Sequence, residues 1–148
     1  MKKKELFELY HGLKSVEKFS GVKFAYAVAK NLRNIEPLLK EIEKDYLPSK
    51  EFLEFEEERL QIAKTFSNEQ DNNMIWVPKE NIEEFSKLLE PIIEKYKDVI
   101  NQKEINDREY QKIIEEEIEI SLYKIHIDNL PNDINAEQIQ SIMSIIME

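Results

Sequence analysis

Only two of the 148 residues are glycine, Gly12 and Gly21. β-Sandwiches and barrels turn every few residues, and many of those turns need the positive φ that glycine supplies without steric cost. A chain this poor in glycine is steered towards long helices, and its apolar residues repeat accordingly.

Leu6, Leu9, Tyr10, Leu13 and Val16 fall at helical spacing, and Ser20-Gly21 closes that first helix. Ala25, Val28, Leu32, Ile35, Leu39, Ile42 and Tyr46 then advance by alternate threes and fours. Such a heptad-like stripe predicts one long helix with a narrow apolar seam, kinked or restarted at Pro37. Pro48 ends it, and Ser49 is placed to cap a third helix carrying Phe52, Phe55, Leu60, Ala63 and Phe66. Residues 67–73 read as a polar loop, and Met74-Ile75-Trp76-Val77 as a short strand closed by Pro78. A second heptad-like stripe follows in Ile82, Phe85, Leu89, Ile92, Tyr96 and Val99, again with an internal proline, Pro91. Ile35-Glu36-Pro37-Leu38-Leu39 and Leu89-Glu90-Pro91-Ile92-Ile93 are alike, but over too few positions to define a repeat.

After a polar interruption at Asn101–Asp107, Tyr110, Ile113 and Ile114 resume the helix. The period then changes. Ile118, Ile120 and Leu122 alternate on one face, and Tyr123, Ile125 and Ile127 on the other. This is a strand with a phase slip, most simply a β-bulge near Leu122-Tyr123, and its obvious partner is 74–77. Past Pro131, Asn135 and Gln138 form a capping box for a last helix with Ile139, Ile142, Met143 and Ile146. The expected fold is one mainly α domain over residues 1–148. It is a long helical hairpin or bundle with a minor two-stranded β element and a short closing C-terminal helix. Residues 22–47 and 79–100 are expected to pack antiparallel through their stripes.

Charge is unevenly distributed. Residues 1–50 carry 11 Lys/Arg against 7 Asp/Glu, and residues 51–148 carry 10 against 24, giving +4 and −14 within a total of −10. An acidic surface of this kind keeps a protein in solution and repels nucleic acid, so direct nucleic-acid binding is not expected. The exception would be a basic N-terminal end made by Lys2–Lys4, Lys14, Lys18, Lys23, Lys30 and Arg33 with Phe24 and Tyr26 interleaved. The lysines are spread round their helices and balanced by Glu5, Glu8 and Glu17, which favours plain solvated charge. No cysteine is present, which removes disulfides, thiolate metal sites and cysteine nucleophiles and suits a reducing cytoplasm. No apolar run approaches the roughly 20 residues of a membrane span, and Met1-Lys2-Lys3-Lys4-Glu5 is not followed by a signal-peptide core.

Catalytic patterns are scarce. The two histidines, His11 and His126, sit in ordinary amphipathic segments and make neither the Glu-x-x-His nor the His-x-x-x-His spacing of a metal helix. Two glycines cannot build a phosphate-cradling loop or a dinucleotide fingerprint. Glu115-Glu116-Glu117-Ile118-Glu119 satisfies the E-E-x-x-E spacing by which helical nucleotide pyrophosphatases hold magnesium, but the second E-x-x-D helix is missing. Neither a catalytic residue, a metal nor a cofactor is therefore assigned. What the sequence does offer is candidate contact residues for a protein partner. Phe24, Tyr26 and Asn31 belong to the least charged stretch, Phe24–Asn31, whose alanines allow another backbone close approach. Phe52 and Arg59 lie on the third helix, and Trp76 stands beside the acidic loop; aromatic and arginine side chains dominate interface energetics. The heptad-like seams could also join copies of the chain into a homo-oligomer.

Three blocks carry a resemblance. Gly21-Val-Lys-Phe-Ala-Tyr-Ala-Val-Ala-Lys-Asn31, Pro48-Ser-Lys-Glu-Phe-Leu-Glu-Phe-Glu-Glu-Glu-Arg59 and Leu130-Pro-Asn-Asp-Ile134 through Ile142-Met143 resemble a family of small helical proteins of tailed bacteriophages and prophages. The order of blocks is similar too. The resemblance implies a phage origin, a location in the bacterial host cytoplasm or the virion, and an accessory or host-directed role. The expectation is a non-enzymatic protein that binds a host or phage protein, without membrane attachment. The alternative is an acidic inhibitor that imitates nucleic acid and occupies a host nucleic-acid-binding or defence enzyme. A metal-dependent nucleotide hydrolase using Glu115, Glu116 and Glu119 is the outlying third.

Overall fold

Each apolar repeat becomes a helix because its residues can be buried along one face. The computed structural model describes residues 1–67, 70–71 and 74–148. In chain order the elements are α1 (Lys3–Val16), α2 (Val22–Glu43), α3 (Lys50–Lys64), β1 (Gln70–Asp71), β2 (Met74–Ile75), α4 (Ile82–Lys95), α5 (Lys97–Ile114), β3 (Ile125–His126), α6 (Ala136–Ser141) and β4 (Ile146–Met147). The fold is mainly α with minor β elements. The sequence reads as one domain, whereas the contacts gather the chain into two units. Unit 1 is Met1–Tyr46 with Tyr110–Glu148, and unit 2 is Leu47–Glu109.

In unit 1, α1 buries Leu6, Leu9, Leu13 and Val16 against α2 and α6. Gly21, at φ 113°, turns the chain between α1 and α2 in a conformation that side chains rarely tolerate. Gly12 is required for a different reason: a Cβ there would lie 2.5 Å from the carbonyl oxygen of Ser141, so α6 crosses α1 at this bare position. α2 runs on through Pro37 without restarting, and buries Phe24, Ala27, Val28, Asn31, Ile35 and Leu39. The seam follows the expected phase from Val28 onward but opens with Phe24 and Ala27. Ala25 is exposed, and Leu32 is only half-buried.

Residues after α5 supply the third face of this core. Ile118, Ile120 and Leu122 pack inward along an extended segment, followed by buried Ile125. The side-chain phase does change between Leu122 and Ile125, with Tyr123 and Lys124 both facing out. The expected bulged strand is not formed: residues 118–124 are extended without strand pairing, and Ile127, like Tyr123, is exposed. The expected pairing of 74–77 with 117–127 does not form. β3 instead pairs in parallel with β4, Ile125 opposite Ile146, and β2 pairs antiparallel with β1, Met74 opposite Asp71. The closing helix is correspondingly shorter than expected. Its Asn135–Gln138 capping box is present, but α6 ends at Ser141, and Ile142 and Ile145 are buried beyond it before the β-branched end of the chain becomes β4.

Unit 2 is built on α3, α4 and the first part of α5. Ser49 caps α3 by accepting the Phe52 N–H at 3.1 Å. α3 packs on α4 through Phe55 against Tyr96, ring centroids 5.7 Å apart, and Phe66 edge-on to Phe85 at 6.1 Å. The expected antiparallel pairing of 22–47 with 79–100 is thus replaced by α2 on α1 and α4 on α3, each stripe finding its partner inside its own unit. Asn101–Asp107, expected to interrupt the helix, lies within α5, where Gln102–Asn106 and Lys103–Asp107 are i,i+4 pairs that support it. The break falls instead at Tyr96, between α4 and α5. Of the expected loop 67–73, residues 68, 69, 72 and 73 lie outside the described residues, and Gln70–Asp71 form β1.

Candidate binding surfaces

Two of the six contact candidates are core residues. Phe24 is buried with Phe19 packed edge-on at 6.4 Å. Asn31 is fully buried and fully bonded. Its Nδ2 donates to the carbonyls of Ala27 and Tyr123, both at 2.9 Å, and its Oδ1 accepts the Tyr123 N–H at 2.8 Å. A side-chain amide so placed substitutes for a neighbouring strand, satisfying both backbone groups of Tyr123 just where the extended segment changes phase. Neither Phe24 nor Asn31 presents a surface to a partner.

The Asn31 clamp nevertheless fixes a surface. Tyr26, on the outer side of α2 and 54% exposed, meets Tyr123 edge-on with centroids 5.3 Å apart. Lys30 lays its Nζ 4.6 Å from the Tyr123 ring centre and 5.6 Å from that of Tyr26. Tyr123 was not a candidate; the signal that could have found it is the phase slip, which turns an aromatic outward. Beside the pair lies a groove of roughly 380 Å³ bordered by Val22, Lys23, Ile125 and Met147.

In unit 2, Phe52 is half-buried, tilted against Phe55 at 5.8 Å with Lys103 Nζ 5.3 Å from its ring. The Arg59 guanidinium is occupied by Glu56, through Nη2 at 2.8 Å and Nε at 3.3 Å. Glu58 accepts from Lys95 Nζ at 3.0 Å and Tyr96 Oη at 2.8 Å, and these bonds, that from Lys95 foremost, hold its carboxyl below the usual range. Trp76 is 61% exposed, as are, to lesser degrees, Leu53, Met74, Ile82, Leu88, Ile93 and Ile105. Among the described residues, unit 2 buries only Phe55, Ala63 and Tyr96.

The carboxylate cluster has a structural account. Lys2 and Lys4 both reach Glu115, at 2.8 and 2.6 Å, Lys3 reaches Glu116 at 2.6 Å, and the Met1 amine reaches Glu117 at 2.9 Å. Backbone bonds reinforce this clamp, from Lys3 N–H to the Glu116 carbonyl and from Ile118 N–H to that of Met1. Hydrogen bonds from Lys2 and then Lys4 take the Glu115 carboxyl down to about 2. Among the described residues no three His, Asp or Glu side chains are gathered to hold a metal. His11 is exposed against the edge of Tyr10, and His126 Nδ1 accepts the Asp128 N–H at 3.3 Å. Of the basic residues singled out in the sequence, Lys2–Lys4 and Lys14 are paired with carboxylates, whereas Lys23, Lys30 and Arg33 make no ion pair among the described residues.

No protein-family model, curated protein or solved structure matches this chain. No helix among the described residues is long and apolar enough to cross a membrane.

Proposed function

We propose that this is a phage-encoded, non-enzymatic accessory protein that binds a host or phage protein through unit 2. One observation carries the reading: in unit 2, large apolar side chains left in solvent outnumber those buried. Monomeric proteins rarely leave extensive apolar area uncovered, and an exposed tryptophan is a frequent energetic anchor of interfaces. The resembling sequence blocks support the phage origin. Affinity purification of the tagged protein from infected cells, beside its Trp76→Ala variant, tests the proposal. Wild type should retain a partner that the variant loses while its circular dichroism is unchanged. Recovery of capsid or tail proteins would indicate assembly, and of a single host enzyme, inhibition. His11→Ala, His126→Ala and Glu116→Gln should leave biological activity within about threefold, as exposed substitutions generally do. Loss of activity in folded Glu116→Gln would overturn the non-enzymatic reading.

A second reading rests on the −14 of residues 51–148, which would let the acidic part imitate nucleic acid before a basic enzyme. Binding that collapses on raising salt and persists in Trp76→Ala would favour it.

A further inference from the structure

The aromatic and cationic face of unit 1 has no part in that proposal. From Lys18 to Ile35 the chain carries four cations and no carboxylate, although 31 of its 148 residues are acidic. Within this window Lys23, Tyr26, Lys30 and Arg33 are spaced i, i+3, i+7 and i+10, which places them on one face of α2, and all four are exposed. Lys23, Lys30 and Arg33 are free of carboxylates, as described above. Tyr123 and the groove lined by Val22, Ile125 and Met147 complete the patch with apolar area. Its backbone support is fixed from inside by Asn31, so the patch is pre-organised rather than a chance of side-chain drift.

We infer that this face binds an acidic peptide segment of another protein, its carboxylates meeting Lys23, Lys30 and Arg33 and an aliphatic side chain entering the groove. Charge complementarity selects the occupant: this is a cationic, apolar-edged surface on a protein of net charge −10. The ten helical steps from Lys23 to Arg33 span about 15 Å, the reach of about five residues of extended peptide. Single-stranded nucleic acid offers anions too, but it needs open ring faces, and Lys30 already lies over both tyrosines. A carboxylate can bind the Lys30 ammonium where it is.

Fluorescence anisotropy with the full chain tests this. The probes are a labelled eight-residue peptide alternating Glu and Leu, its Lys/Leu counterpart, and labelled oligothymidylate. The Glu/Leu peptide should bind saturably and the Lys/Leu peptide should not. Lys30→Glu and, independently, Arg33→Glu should each weaken binding about tenfold or more, as expected where a rim charge that attracts is made to repel. Tyr26→Ala should weaken it severalfold, whereas Lys97→Glu in unit 2 should leave it unchanged. These exposed sites keep the fold, which circular dichroism checks. The inference is overturned if the Glu/Leu peptide does not bind, if binding ignores both charge reversals, or if oligothymidylate binds more tightly at the same residues. Because unit 2 is untouched in the informative variants, the result is separable from the fate of the Trp76 experiment.

Discussion

The two units begin from nearly the same sequence pattern and end with different interiors. α2 and α4 each carry an apolar stripe of alternating threes and fours, and each contains a proline. The buried apolar cluster nevertheless lies wholly in unit 1, from Leu6 through Ile145. α4 packs on α3, yet Ile82 at the start of its stripe and Leu88 and Ile93 beside it stay in solvent. The difference is the number of layers. In unit 1, α1, the extended residues 118–125 and Ile142 and Ile145 beyond α6 all contribute to the cluster around α2, and segments far apart in sequence supply them. One helix against another covers only a stripe, so a wide apolar face stays uncovered unless something else lies on it. Unit 1 thus closes its apolar cluster on several sides, and unit 2 leaves most of its large apolar side chains at least partly in solvent.

The sharpest way to break this contrast is to put one charge into the α2 stripe and one on the exposed flank of the α4 stripe. Ile35 is fully buried, so Ile35→Asp should destabilise unit 1 by roughly 4 kcal/mol or prevent folding, because the carboxylate has no partner there. Ile93, 43% exposed, should tolerate the same change within about 1 kcal/mol. Urea denaturation followed by circular dichroism measures both. Equal losses would mean that the α4 flank is core after all.

Next in size is the amide clamp. Asn31→Leu keeps the branching of the side chain, though with more bulk, and strands the N–H and carbonyl of Tyr123; it should cost about 3 kcal/mol. The Tyr26–Tyr123 pair should loosen with it, seen as a loss of near-ultraviolet dichroism. A near-neutral result would show that water can replace the amide.

Gly12→Ala follows, with a sign that discriminates. Helix propensity alone favours alanine by up to about 1 kcal/mol. The Ser141 carbonyl must move to admit the methyl group, and overpacking of this kind costs about 1–3 kcal/mol, so net destabilisation is expected in thermal melts. A stabilised variant would show that α6 yields easily and that the close crossing is not essential to unit 1.

These positions also show what was legible in the sequence. The α1 stripe, the Ser49 and Asn135 caps and the phase slip near Tyr123 were readable because each is local, set by residues within a turn of one another. Strand partners were not: β3 is paired by the last residues of the chain, which by periodicity alone continue a helix. Asn31 looked like surface because a lone polar residue gives no sign of the backbone amide it will meet 92 positions later. The cationic face was half visible, as a run of lysines; only the pairing of Lys2–Lys4 with Glu115–Glu116 separates clamp lysines from free ones. Trp76 could be given no depth from sequence, since exposure depends on how many layers cover it.

The smallest effect compares one carboxylate from each unit. Glu115 is held down to about 2 by hydrogen bonds from Lys2 and then Lys4, while Glu58 is held below the ordinary range by Lys95 and then Tyr96. An unfolded glutamate titrates near 4.3. A depressed folded value means that the stabilisation is fully present above that point and disappears as pH falls through the folded value. Both clamps should therefore be intact at pH 5, and the Glu115 clamp should open only as pH approaches 2. Both carboxylates are solvent-accessible, so the consequence for global stability is slight and strongly screened by salt. Carbon-detected NMR titration of the glutamate carboxyls reads it directly. Lys2→Ala with Lys4→Ala should return the Glu115 midpoint towards 4 and leave that of Glu58 where it was; Lys95→Ala should do the reverse. If removing the lysines beside one carboxylate moved both midpoints, neither shift could be assigned to its own hydrogen-bond donors.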